Sequence, residues 1–260
     1  STPVVIRNNF VKGNMSLWDQ LGYQGHGLFL EISSNIVVYN NVVVTPITNG
    51  GHGILIFGSD SCRLFNNTMI HNATNWQTAG ICMILAGRPG KTLYANRVTN
   101  NIVLVVGSDA SPFGVHYEDN NGSTIAGNAY DKNLYYREVG PISFQEYGED
   151  SYYFSGYTNA TGWDSHSHEA NPWFMVDEDW LWFPASNSPA VNTGRTISTV
   201  ANDYRKVSRP QGSGYDQGSF EYVLMDNDND GMHDLWESVY GLNTNSNDSA
   251  GDLDSDGVSN

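Results

Sequence analysis

The chain has 260 residues, 28 acidic and 12 basic side chains and a formal charge of −16, with apolar residues at 39% and aromatics at 12%. The aromatic content excludes a disordered polymer, and no apolar run reaches the roughly 18 residues of a membrane-spanning helix. So acidic a chain offers no basic stripe for a phosphate backbone, which argues against nucleic acid as a partner.

In chain order, the first half is a repeat. Four segments align on an asparagine core: Ile6-Arg7-Asn8-Asn9-Phe10, Val38-Tyr39-Asn40-Asn41-Val42, Leu64-Phe65-Asn66-Asn67-Thr68 and Leu93-Tyr94-Ala95-Asn96-Arg97, with a weaker fifth at Ile125-Ala126-Gly127-Asn128-Ala129. Asn9, Asn41, Asn67, Asn96 and Asn128 are therefore expected in one column. Between them recurs a glycine followed by apolar residues: Gly27-Leu28-Phe29-Leu30, Gly53-Ile54-Leu55-Ile56, Gly80-Ile81-Cys82-Met83 and Gly114-Val115-His116-Tyr117. Each unit holds two or three short strands and no helix able to cross a sheet. A short strand cannot bury its inner face alone, but stacked windings share an interior. Asparagine suits the turns, because it tolerates the left-handed conformation and its amide can bond to the next copy. Cys62 and Cys82 flank a turn and read as small buried hydrophobes, with a disulfide as the alternative. The chain opens at Ser1 inside what reads as a structural unit, so it is expected to be processed or a fragment.

This glycine–apolar, asparagine–asparagine pattern resembles the repeat of right-handed parallel β-helix proteins, the pectate-lyase-like group, over about half the chain. The resemblance implies an active site on an outward groove. In a lyase of that group, a Lys or Arg takes the proton beside a uronate carboxylate; Arg88 and Lys91 are the candidates here, although Gly87-Arg88-Pro89-Gly90-Lys91 also reads as a plain polar turn. A glycoside hydrolase needs two carboxylates across a groove. Glu31 and Glu118 occupy one place in the repeat, but two intervening windings separate them by about 14 Å at ~4.8 Å per winding. Glu118 with Asp119 or Asp60 is the better pair. His26 and His52 each precede the repeat glycine and should stack on adjacent windings, with His116 on a later one. Such a stack is either a proton-transfer or metal site, or a ladder of equivalent turn residues. The catalytic candidates are thus Glu118, Asp119, His116, Arg88 and Lys91, and the substrate-contacting candidates are His26, His52 and Trp76.

Residues 131–222 lose the repeat and hold 18 of the 32 Phe, Trp and Tyr. Gly162-Trp163-Asp164-Ser165-His166-Ser167, Asn171-Pro172-Trp173-Phe174, Ser188-Pro189-Ala190-Val191-Asn192-Thr193-Gly194 and Tyr215-Asp216-Gln217-Gly218-Ser219-Phe220-Glu221-Tyr222 follow in order. This order is similar to the C-terminal end of many secreted bacterial β-helix proteins. The aromatics are expected to cap an open end of the coil; a sugar-stacking platform is the alternative.

The last segment, 223–260, has nine acidic residues and no basic one. Residues 226–237 fit a twelve-residue calcium loop: Asp226, Asp228 and Asp230 at positions 1, 3 and 5, Gly231 at 6, the Met232 carbonyl at 7, Asp234 at 9 and Glu237 at 12. A partial second copy offers Asp252, Asp254, Asp256 and Asn260. A hard cation needs that many oxygens, so Ca2+ is the expected cofactor. The pair resembles thrombospondin type 3 calcium-binding repeats.

The expected fold is all-β, a right-handed parallel β-helix (solenoid) with a short C-terminal calcium-binding loop-helix tail. The expected divisions are coils over 1–135, terminal coils and an aromatic closing region over 136–222, and the tail over 223–260. The expected function is a secreted or cell-surface protein acting on polysaccharide as lyase or glycoside hydrolase. A non-catalytic adhesin or structural protein is the alternative, with a polysaccharide or cell-surface glycan as partner in either case.

Overall fold

The structure is a computed structural model. It describes residues 2–13, 26–45, 52–72, 79–84, 92–106, 113–118, 125–140, 143–146, 150–176, 181–223, 226–232 and 234–260.

Five windings stack. The first is β1 (Val4–Arg7), β2 (Phe10–Lys12) and β3 (Leu28–Glu31); the second is β4 (Ile36–Tyr39), β5 (Val42–Val44) and β6 (Ile54–Phe57). The third is β7 (Arg63–Phe65), β8 (Thr68–Asn72) and β9 (Ala79–Ile84). The fourth adds a short β10 (Leu93–Tyr94) before β11 (Arg97–Thr99), β12 (Ile102–Val106) and β13 (Phe113–Glu118). The fifth adds β14 (Ile125–Ala126) before β15 (Ala129–Asp131), β16 (Leu134–Arg137) and β17 (Ser143–Glu146). Equivalent strands pair in parallel and form three sheets, ordered β1-β4-β7-β11-β15, β2-β5-β8-β12-β16 and β3-β6-β9-β13-β17. This is a right-handed parallel β-helix, as the repeat predicts.

Strand alternation sets the core. Ile6, Val38, Leu64, Val98 and Tyr130 form one register row of the first sheet, and Val11, Val43, Met69, Val103 and Tyr135 one row of the second. Eight of the ten belong to one interior cluster with Ile54, Ile56, Ile81 and Met83, and Ile6 and Val11 pack against it half-buried. Each buried aliphatic side chain contributes about 1.5–3 kcal/mol. Both rows end in tyrosine, and the fifth winding is closed by rings: Phe144 stacks on Tyr157 at 4.6 Å and meets Tyr135 edge-on at 5.1 Å. Tyr157 lies on α1 (Phe154–Thr161), which ends at Gly162 in the left-handed conformation that stops a helix (φ 70°). Then β18 (Asp150–Tyr152) pairs antiparallel with β17, and β19 (His168–Glu169) adds a last parallel partner to β16.

The asparagine column differs from the expected one. Asn41 Oδ1 accepts Asn9 N and Nδ2 at 3.1 and 2.9 Å, Asn67 Oδ1 does the same for Asn41, Asn101 for Asn67, and Asn133 for Asn101. Asn96 and Asn128 stand in a second column at another corner, where Asn96 Oδ1 accepts Cys62 N and Asn128 Oδ1 accepts Asn96 N. Both corners use a left-handed residue followed by an asparagine, for example Asn66 (φ 50°) before Asn67 and Ala95 (φ 56°) before Asn96. The local pattern is therefore the same at two places in one winding, and the Asn100-Asn101 pair identifies the true column.

The aromatic segment also divides. Residues up to Trp163 close the coil, but 181–223 run back along its flank as a strap. Its hairpin pairs β20 (Phe174–Val176) with β21 (Trp182–Pro184). The first asparagine of each pair faces this strap. Asn100 Nδ2 donates to Arg195 O at 2.7 Å and its Oδ1 accepts Arg195 N at 2.8 Å. Asn66 donates to Asp216 O, Asn40 to Asn202 O and Asn8 to Asp203 O and Tyr204 O. Phe183 and Phe220 cover Val42 on the outside of the second sheet. Gly218 is obligatory there: its φ is +82°, and a Cβ would lie 2.6 Å from Ile102 Cδ1. Arg209, buried, holds the strap's own fold by donating to Glu221 Oε1 at 2.5 Å and to Asp216 O at 3.1 Å. The tail carries α2 (Asp234–Tyr240), which stops at Gly241 (φ 77°).

Candidate functional site

Histidines sit where the first two windings enter the third sheet. His26 and His52 stack with ring centroids 5.3 Å apart and planes 2° from parallel. The approach is close because the next residues are glycines: a Cβ on Gly53 would lie 2.3 Å from Gly80 O. His52 N donates to His26 Nδ1 at 3.1 Å, and Ala79 N donates to His52 Nδ1 at 3.0 Å. A nitrogen that accepts a backbone N–H bears no proton of its own, so each neutral ring carries its hydrogen on Nε2. Burial lowers the pKa of His26, which favours the neutral ring. His71 lies 3.0 Å from Thr45 Oγ1, and burial brings it down to about 4.

The catalytic candidates fall mainly on the third sheet. His116 and Glu118 are two positions apart on β13, where His116 pairs in register with Cys82 and Glu118 with Ile84. Ile84 pairs with Phe57 and Phe57 with Glu31, so Glu31 and Glu118 share a row with two windings between them. Asp60 is committed elsewhere: its carboxylate accepts Thr92 Oγ1 at 2.8 and 2.7 Å and Tyr94 N at 2.8 Å. Asp119, Arg88, Lys91 and Trp76 lie outside the described residues. Cys62 and Cys82 are unbonded and buried. Burial is the main cause that raises the Cys62 thiol to about 11.

Carboxylates converge in the tail. One oxygen each of Asp226, Asp228 and Asp230 lie within 4.8 Å of one another, and so do those of Asp230, Glu237 and Asp248, and of Asp252, Asp254 and Asp256. Asp234 turns away, accepting Asn227 N at 2.8 Å and Nδ2 at 2.5 Å. Asp226 accepts Asp230 N and Gly231 N, which shapes the loop. Asn260 Oδ1 accepts Leu253 N at 3.0 Å, and its Nδ2 donates to Asp248 O at 2.8 Å. Asp248 escapes sequence reasoning because it lies beyond the twelve-residue loop. The twist of the chain after α2 returns it to Asp230, whose Oδ2 accepts Asp248 N at 3.2 Å.

A model of the family described as "Periplasmic copper-binding protein (NosD)" matches residues 1–138, more than half of the chain. The chain belongs to that family. The NosD match spans the windings as far as β16, so Phe144, Tyr157, the strap and the tail lie beyond it. No curated protein and no solved structure matches the chain. Membership in NosD places the protein outside the cytoplasm, as the secreted or cell-surface expectation has it. No helix among the described residues is long and apolar enough to cross a membrane. The cofactor expectation is corrected: the NosD family is described as copper-binding, not calcium-binding. The two ions differ in what they take as ligands, calcium choosing hard oxygens and copper choosing imidazole and sulfur. A run of spaced aspartates is therefore no guide to this family's metal.

Proposed function

We propose that this NosD-family protein is a non-catalytic extracytoplasmic scaffold, a surface rod whose partner is a glycan. The observation that carries the reading is the strap: Asn8, Asn40, Asn66 and Asn100 hold its backbone against four successive windings. Held this way, the outer faces of two sheets become one fixed relief in which backbone groups are paired. Such a relief suits a partner that binds along the rod's length. The pectate-lyase-like repeat supports a glycan as that partner. The test is a panel of neutral and acidic polysaccharides, scored for binding and, separately, for unsaturated and reducing ends. Binding without new ends supports the scaffold; new ends overturn it.

The second reading, a lyase or hydrolase, rests on β13, which brings His116 and Glu118 within two positions of each other. New ends that vanish in both His116→Ala and Glu118→Gln would establish it.

Neither the His26–His52 pair nor Cys62 suits the family's copper. His26 and His52 present Nδ1 to backbone N–H groups, whereas a metal needs a bare ring nitrogen. Cys62, with its raised pKa, is a poor thiolate. Among the described residues, each group of three converging donors consists of carboxylates alone. Those tail residues, Asp226, Asp228, Asp230, Glu237 and Asp248 with Asp252, Asp254 and Asp256, form a proposed oxygen-donor set to which no metal is assigned.

A further inference from the structure

Beside the first two windings the strap leaves a cleft of about 620 Å³, within the range of small-ligand sites. One wall is the outer edge of β1 and β4, with Arg7 and Tyr39; the other is the strap, with Thr199, Asn202 and Lys206. Its electrostatics run against the rest of the molecule. On a chain of charge −16, two of the 12 basic residues line this one space, and neither is matched by a carboxylate among the described residues. Arg7 donates from Nη1 to the Tyr39 hydroxyl at 2.9 Å and lies over the Tyr39 ring at 5.8 Å, which leaves the rest of its fork unassigned. The one acid in the lining, Asp203, is 1% exposed and accepts Val207 N and Glu221 N from the strap itself. Lys206 is exposed, at a turn with φ 70°, a conformation glycine or asparagine would adopt more easily.

We infer that this cleft binds a carboxylated sugar. Two uncompensated cations favour an anion, and Arg in particular takes a carboxylate through two parallel hydrogen bonds. A bare inorganic ion would leave the remaining lining idle. The Tyr39 hydroxyl, the Thr199 hydroxyl and the Asn202 amide are groups that pair with ring hydroxyls, and they border the same space. The inference rests on the glycan reading and gives it a place and a charge.

The experiment is calorimetry on the full chain with four probes: a mannuronate tetrasaccharide, the neutral mannotetraose, acetate and inorganic phosphate. The expected result is binding of the mannuronate oligomer, at least tenfold tighter than the neutral one and weakened by salt. Arg7→Gln and Lys206→Gln should each weaken it about tenfold, with thermal unfolding unchanged because both side chains are exposed. Equal binding by wild type and both variants, or a preference for the neutral oligomer, overturns the cleft while leaving a glycan partner elsewhere. Phosphate or acetate binding as tightly as the oligomer overturns the sugar class. No binding of either oligomer overturns the cleft. If the polysaccharide panel is also negative, the glycan reading falls with it.

Discussion

Asn133 Nδ2 lies 2.9 Å from Asp164 Oδ1, and with that bond the inner amide column ends. Every earlier asparagine leans on an identical residue one winding on; Asn133 leans on a buried carboxylate that also accepts Tyr135 OH, Tyr157 OH and Ser167 Oγ. Asp164→Ala would strand all of these donors inside the closing rings. The expected loss is about 3–5 kcal/mol, since each buried unpaired group costs about 1–3 kcal/mol. Asp164→Asn keeps the shape and should lose far less. Urea unfolding of both variants decides, and equal stabilities would refute the terminating role.

The same carboxyl makes stability depend on pH in an unusual direction. Burial lifts Asp164 to about 6, outweighing its four donors, and burial lifts Asp216 to about 6 as well. In the unfolded chain an aspartate titrates near 4. Between these values the folded protein holds a proton that the unfolded chain has released, so stability is highest below pH 4 with respect to this group and falls as pH rises through 6. The change for Asp164 alone is about 3 kcal/mol. Asp164→Asn should remove its share of the slope in unfolding measured at pH 4, 5 and 7; an unaltered slope would contradict the assignment.

Glycines in this chain are not equivalent. Gly53→Ala places a methyl 2.3 Å from Gly80 O, a backbone atom with nowhere to go. It should cost about 3 kcal/mol or more and separate the stacked histidines. Gly140→Ala meets nothing within 4 Å and bears only the cost of its φ of +79°, about 1–2 kcal/mol. Thermal unfolding of the two variants should rank them clearly.

Copper offers a direct check on the ring tautomers. Cu2+ added to the protein should show no imidazole nitrogen from His26 or His52 in its paramagnetic resonance spectrum, and His26→Ala with His52→Ala should leave any copper uptake unchanged. Nitrogen splittings that disappear in the double variant would show that a backbone N–H had yielded its acceptor to the metal.

The two asparagines of a pair should fail differently. Asn66→Ala frees the strap at Asp216 and Gly218, with a loss of about 1–2 kcal/mol and faster hydrogen exchange there. Asn67→Ala removes the acceptor of Asn41 N and Nδ2 and a donor to Val38 O, and should cost more, with exchange rising inside the coil.

How far the sequence was legible follows from what each residue answers to. The strands after Gly27, Gly53 and Gly80 were readable because alternation is local and each strand repeats its neighbour. Asn41 and Asn67 were readable as a column for the same reason. Asn96 reads into the wrong column because two corners of a winding make the same backbone demand. The strap was hidden: Asn40 meets Asn202 across 162 positions, and the bond is to a backbone carbonyl that has no sequence signature. Asp248 is hidden on like grounds, since it meets Asp230 and Glu237 only after the chain has passed through α2 and the loop that follows.

Repeat rods of stacked units ordinarily melt from their ends, because each unit touches only its neighbours. Here the strap is sewn back to the first winding through Asn8. Fraying at one tip must undo a seam that reaches most of the length, which converts a zipper into an all-or-none object.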